Sequence, residues 1–231
     1  MTDAQAALLS RLRRALREVA DPRKAPVMQA YMKSAMPYHG VPTPALRRVC
    51  KTMFTGVVPQ TAAAWRSLVL GLWRKARYRE ERYAALYLAG HPSARAFQTP
   101  SSLKLYEELI VTGAWWDYVD DIASHRLGTL LRAHPSFMRP RMLAWSRSRD
   151  LWKRRAAILC QLGFRERTDT ALLYACIEPS LASREFFLRK AIGWALRQLA
   201  WTDPAEVKRY VRVNRARLSS LSVREALKNC R

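Results

Sequence analysis

Apolar residues return every three or four positions through most of the chain. Trp65, Leu68, Val69, Leu72 and Trp73 form one stripe, and Phe187, Ala191, Trp194 and Ala195 form another. Each stripe is one face of a helix with a period of about 3.6 residues. Near the start, Leu8, Leu12, Ala15 or Leu16, and Val19 repeat that spacing, which fits a first domain helix better than an Arg-rich transit segment. Strand-like alternation is absent. Breaks at Asp21-Pro22, Gly40 to Pro44, His91-Pro92, His134-Pro135, Pro179 and Asp203-Pro204 cut the pattern into short helices joined by short loops. With no long linker or low-complexity tract, residues 1–231 are expected to form a single all-α domain.

A longer period lies over the helical one. Arg82-Tyr83-Ala84-Ala85-Leu86, Arg155-Ala156-Ala157-Ile158-Leu159, Lys190-Ala191-Ile192-Gly193-Trp194 and Arg224-Glu225-Ala226-Leu227 share a basic residue followed by small and aliphatic positions. Their spacings are close to one or two multiples of about 35 residues, the length of a HEAT-like helical hairpin. The midpoint of the longest gap falls near Asp120. Stacked hairpins place equivalent positions on one face of a solenoid, so Asp120, Arg155 and Lys190 are expected to form a ladder in a concave basic cleft. Trp116 precedes Asp120 by one helical turn and Trp194 follows Lys190 by one, so both rings can reach that face. Asp117, Asp121 and Trp115 point elsewhere on the helix and read as structural, capping or core residues.

Composition narrows the partner. The 231 residues carry 41 Lys and Arg against 18 Asp and Glu, a formal net charge of +23. Such an excess suits a polyanion, above all a nucleic-acid backbone. Between Arg126 and Arg155 lie Arg132, Arg139, Arg141, Arg147, Arg149, Lys153 and Arg154, opposed by Asp150 alone, and Lys208, Arg209, Arg212, Arg215 and Arg217 repeat the bias near the end. No apolar run reaches the roughly 18 residues that span a bilayer, so no membrane partner is expected. Cys50, Cys160, Cys176 and Cys230 have no paired spacing and read as reduced, mostly buried thiols of a cytosolic protein.

No Gly-rich phosphate loop precedes a helix, and His39, His91, His125 and His134 show no metal-ligand spacing, so neither a cofactor nor a metal is expected. The segment Trp115-Trp116-Asp117-Tyr118-Val119-Asp120 stands out instead, because it reverses the charge logic of a basic chain. Rings and carboxylates together suit a cationic or electron-poor group. On its own, Asp120 reads as readily as the partner of Arg155 in a salt bridge between repeats.

These residues also carry a resemblance. Glu107-Glu108-Leu109-Ile110-Val111-Thr112, Trp115-Trp116-Asp117, Val119-Asp120, Arg155 to Leu159 and Ala191 to Trp194 occur in one order, with Ala30-Tyr31-Met32-Lys33, Thr43-Pro44, Ser183, Glu185-Phe186-Phe187 and Arg224-Glu225-Ala226 outside them. The chain resembles AlkD-like DNA glycosylases, a HEAT-like-repeat family of bacterial DNA alkylation repair enzymes. The resemblance implies a monofunctional enzyme that hydrolyses the N-glycosidic bond of cationic N3- and N7-alkylpurines in duplex DNA, working as a cytosolic, nucleoid-associated monomer without an obligate protein partner. It also implies catalytic roles for Asp120, Trp116 and Trp194. Arg155 and Arg197 then match positions holding the DNA backbone near the lesion, and Tyr31, Thr43 and Arg47 fall in the matching N-terminal contact region. Lys190 joins the DNA-binding set from its place in the ladder. Pro42 departs from the family pattern, which often has a polar residue there. Two other readings remain for such a solenoid: a catalytically silent nucleic-acid-binding paralogue, and a protein-interaction scaffold for acidic partners.

Overall fold

Prolines and short polar side chains set where the helices begin. In the computed structural model, which describes residues 3–57 and 59–230, the helices are α1 (Asp3–Glu18), α2 (Lys24–Met32), α3 (Thr43–Phe54), α4 (Ala62–Lys75), α5 (Arg79–Ala89), α6 (Leu103–Gly113), α7 (Trp116–Asp121), α8 (Gly128–Ala133), α9 (Pro135–Ser146), α10 (Leu151–Leu159), α11 (Thr170–Ile177), α12 (Phe186–Leu199), α13 (Pro204–Val213) and α14 (Ser220–Ala226). No strand occurs among the described residues, so the all-α expectation holds. Asp150, Asp169, Asp203 and Ser219 each accept a backbone N–H in the first turn of α10, α11, α13 and α14, satisfying donors the helix leaves free.

Contacts gather into two compact units, residues 1–105 and 106–231. In the first, α1, α3, α4 and α5 pack on one another. Leu8, Leu12 and Leu16 are buried in α1, while Val19 lies beyond its end and is exposed, so the leading stripe belongs to a domain helix. Glu80, fully buried, accepts backbone N–H groups of His39, Gly40 and Val41 at 3.0, 2.9 and 3.0 Å. This carboxylate fixes the loop that leads into α3. Pro42 occupies the N-cap position of α3, where a polar residue could have capped it and proline cannot.

The second unit is built from two rows of helices. The α7–α8 segment, α10, α12 and α14 pack side by side in sequence, and α9 and α11 pack against α10 from the other row, which α13 continues. Within this unit the repeat register read from the sequence is realised: Asp120, Arg155, Lys190 and Arg224 are each the fifth residue of α7, α10, α12 and α14, whereas Arg82, the first of the motif, is the fourth residue of α5 in the other unit. The basic run from Arg126 to Arg155 is divided between the rows. Several of its members have local partners, as in Arg139 with Asp169, Lys153 with Glu107, and Arg154 with Ser180.

α12 and α14 touch at glycine. A Cβ on Gly193 would lie 2.5 Å from the Glu225 Cβ and 2.9 Å from the Ser222 carbonyl oxygen. Gly193→Ala would gain helix propensity of about 1 kcal/mol but force two backbones apart, so the expected net effect is a loss of about 1–2 kcal/mol. Chemical denaturation would read it, and a variant as stable as the parent would mean that the two helices separate freely.

Candidate functional site

A strained turn introduces the site. Ala114 ends α6 with φ of 45°, in the left-handed region that favours glycine, and its N–H reaches the Ile110 carbonyl at 2.9 Å. Holding alanine there costs on the order of 1 kcal/mol. The turn leaves Trp115 extended and starts α7 at Trp116. After Asp121 the helix widens into a π turn, Ile122–Leu127, before continuing as α8. Such π segments are uncommon and concentrate at functional sites. Here the turn follows Asp120 directly, and the Ser124 hydroxyl donates to the Asp120 carbonyl at 2.6 Å. Gly128 closes the turn against α10: a Cβ there would come within 2.8 Å of the Cys160 carbonyl oxygen.

Asp120 is buried, with its carboxylate in the fork of Arg155. Nε donates to Oδ1 and Nη2 to Oδ2, both at 2.8 Å. Nη1 of Arg155 donates to the Phe187 carbonyl, tying α12 into the same centre. The carboxylate is the more accessible partner, its side chain 12% exposed against 5% for Arg155. Burial raises the Asp120 carboxyl above its ordinary 3.8, Arg155 opposes that rise and Asp117 adds to it. The fork requires the ionised form, because a protonated carboxyl would lose one charge-assisted bond.

The inter-repeat salt bridge weighed from sequence is therefore present. It does not use up the carboxylate, each of whose oxygens accepts one bond from Arg155 and has capacity for another. Arg155, matched by resemblance to a DNA-backbone contact, is 4% exposed, and three of its five N–H groups are held within the protein.

Around this pair stands an aromatic wall that sequence spacing did not assemble. Trp115 meets Phe187 edge-on at 5.3 Å and Trp152 at 6.1 Å, Trp152 lies 5.0 Å from Phe187, and the Arg155 guanidinium sits 5.9 Å from the Phe187 ring. Trp115, half-buried, packs into the wall. Trp116 and Trp194 are half-buried as well, but contact no other aromatic ring among the described residues. Trp116 shares the face of α7 with Asp120, and Trp194 lies one turn past Lys190 on α12. Three neighbouring helices hold Asp120, Arg155 and Lys190 at one register, with a free indole a turn before and another a turn after.

Lys190 and Arg197 converge on a residue the charge pattern did not single out. Glu225 of α14, 5% exposed, lies 3.3 Å from Lys190 Nζ, 2.8 Å from Arg197 Nη1 and 2.8 Å from Lys228 Nζ. Tyr31, Thr43 and Arg47 belong to the other unit. Tyr31 is 75% exposed on α2, and Thr43 and Arg47 are exposed one turn apart on α3.

Other chemistries find few groups here. All four cysteines are free and buried, and burial pushes the Cys50 and Cys176 thiols up to about 12, far from thiolate chemistry at neutral pH. Among the described residues no group of three His, Cys, Asp or Glu is gathered to hold a metal ion, and no helix is long and apolar enough to cross a membrane.

A family model for DNA alkylation repair enzymes matches residues 12–230. Among solved structures, the predicted DNA alkylation repair enzyme of Enterococcus faecalis is 28% identical with a TM-score of 0.80, the match covering 90% of this chain and 95% of that one. AlkD2 from Streptococcus mutans shares the fold at 16% identity and a TM-score of 0.58, over 82% of this chain and 88% of its own. The search of curated proteins found no match.

Proposed function

The chain belongs to the DNA alkylation repair enzyme family, and from that premise we propose that it is a monofunctional DNA glycosylase releasing cationic N3- and N7-alkylpurines, such as 3-methyladenine and 7-methylguanine, from duplex DNA. The observation that carries the reading is the buried Asp120, oriented by the Arg155 fork one helical turn after Trp116, in a chain of net charge +23.

A purine alkylated at N3 or N7 already bears positive charge and leaves readily, so the enzyme needs little acid catalysis. As the glycosidic bond lengthens, the electron pair goes to the base and positive charge develops on the deoxyribose. Asp120 faces that charge and stabilises it. The Arg155–Asp120 pair is formally neutral, so the stabilisation is that of an oriented dipole with its negative, more accessible end toward the sugar. Arg155 serves first to hold Asp120, and any contact it makes with the backbone near the lesion is secondary to that role. Trp116 and Trp194 set electron-rich faces against the cation, each contact contributing about 0.5–2 kcal/mol. A water attacks the sugar carbon, its proton leaves to solvent or to Asp120, and the products are the free base and an abasic site. Tyr31, Thr43, Arg47, Lys190 and Arg197 hold the duplex. The reading places the protein in the cytosol as a monomer.

The pH dependence tests this directly. Asp120 works as the carboxylate and its pKa lies above the ordinary 3.8, so single-turnover release should rise with pH through a midpoint above that value and then level off. The rising limb should vanish in Asp120→Asn. A limb that persists unchanged in that variant would assign the titration, and the role, to another group.

A further inference from the structure

We propose that Glu225 and Lys228 complete a phosphate clamp around Trp194, in which Glu225 aligns Lys190, Arg197 and Lys228 so that their free donors grip one phosphodiester of the duplex. The proposal rests on the DNA reading above and adds two residues to it.

Three cations meet one carboxylate, which leaves two positive charges uncompensated where a structural ion pair needs only one partner. The arrangement is layered. Glu225 has a side chain 6% exposed, whereas those of Lys190, Arg197 and Lys228 are 39%, 26% and 48% exposed, so the acid lies beneath and the cations face outward. The surrounding ammonium groups, Lys228 foremost, hold the Glu225 carboxyl below the usual range, so it stays ionised at neutral pH. Lys190, Trp194 and Arg197 follow one another at single-turn spacing on one face of α12, which sets the indole between two of the three cations.

The anchor is rigid. Gly193 lets α14 approach closely enough to bring Glu225 under that face, the Ser222 hydroxyl donates to the Arg189 carbonyl at 2.9 Å, and the Asn229 amide reaches the Arg197 carbonyl at 3.4 Å. Flexible lysine and arginine side chains are thereby ordered before any ligand arrives, and convergent donors of this kind suit a phosphate, which accepts several hydrogen bonds at once.

Equilibrium binding of undamaged duplex DNA across a range of salt concentrations tests the clamp without requiring excision. Lys228→Gln, at an exposed position, should reduce the slope of log affinity against log salt by about one. Lys104→Gln, an exposed control on α6, should leave the slope unchanged. Glu225→Gln is the sharper probe: it removes a negative charge, so bulk electrostatics alone predicts tighter binding, whereas loss of alignment predicts weaker binding. An unchanged slope in Lys228→Gln, or tighter binding in Glu225→Gln, would overturn the clamp and leave the DNA reading standing. Absence of salt-dependent duplex binding by the parent protein would overturn the DNA reading and the clamp with it.

Discussion

Asp120→Asn is expected to slow release of 7-methylguanine from duplex DNA by about 10²–10³-fold, the usual consequence of removing one preorganised electrostatic stabiliser, while duplex affinity stays close to that of the parent. The substitution keeps the shape of the side chain and removes its charge. It therefore separates stabilisation of the developing cation from the holding of DNA, which the proposal assigns to basic residues elsewhere. Single-turnover release at saturating enzyme measures the first and equilibrium binding the second. Equal losses in both would make Asp120 a structural residue.

The second large effect concerns stability. Arg155→Ala should cost about 3–5 kcal/mol, because it leaves a buried carboxylate without its partner, and the Phe187 carbonyl loses a donor as well. Replacing both members with apolar residues of similar volume, Arg155→Met with Asp120→Leu, should recover most of that loss, since a buried ion pair and a well-packed apolar pair differ little in net contribution. Denaturant unfolding of Arg155→Met, Asp120→Leu and the double closes the cycle, with Arg155→Ala measured beside it. A cost below about 1 kcal/mol for Arg155→Ala would mean that the fork seen around Asp120 contributes little to the fold.

These two results bear on how much of the site could be read from the chain. The repeat was legible in the second unit: a basic residue followed by small ones returns at a fixed interval, and Arg155, Lys190 and Arg224 occupy equivalent positions in successive helices of one row, while Arg82 of the same motif lies in the other unit. Asp120 could be placed in that register, and its pairing with Arg155 could be named as an alternative, because both follow from the period alone. The aromatic wall could not. Trp115, Trp152 and Phe187 come from three segments and meet only through the stacking of repeats. The π turn after Asp120 and the left-handed Ala114 left no signal either, since alanine is not a residue whose presence announces such a conformation. In the sequence Glu225 stands only as a member of the repeat block beside Arg224. Its meaning depends on three cations that converge from α12 and from beyond α14, and a count of charges along the chain favours the many arginines over the single acid.

The central claim is that the site acts on a purine already carrying positive charge. Incubating the purified protein with methylated duplex DNA and identifying the released bases by mass spectrometry tests it most directly. The account predicts 3-methyladenine and 7-methylguanine, matched by an equal number of abasic sites and abolished in parallel by Asp120→Asn. Release of neutral bases at comparable rates, or tight duplex binding with no base released, would contradict it.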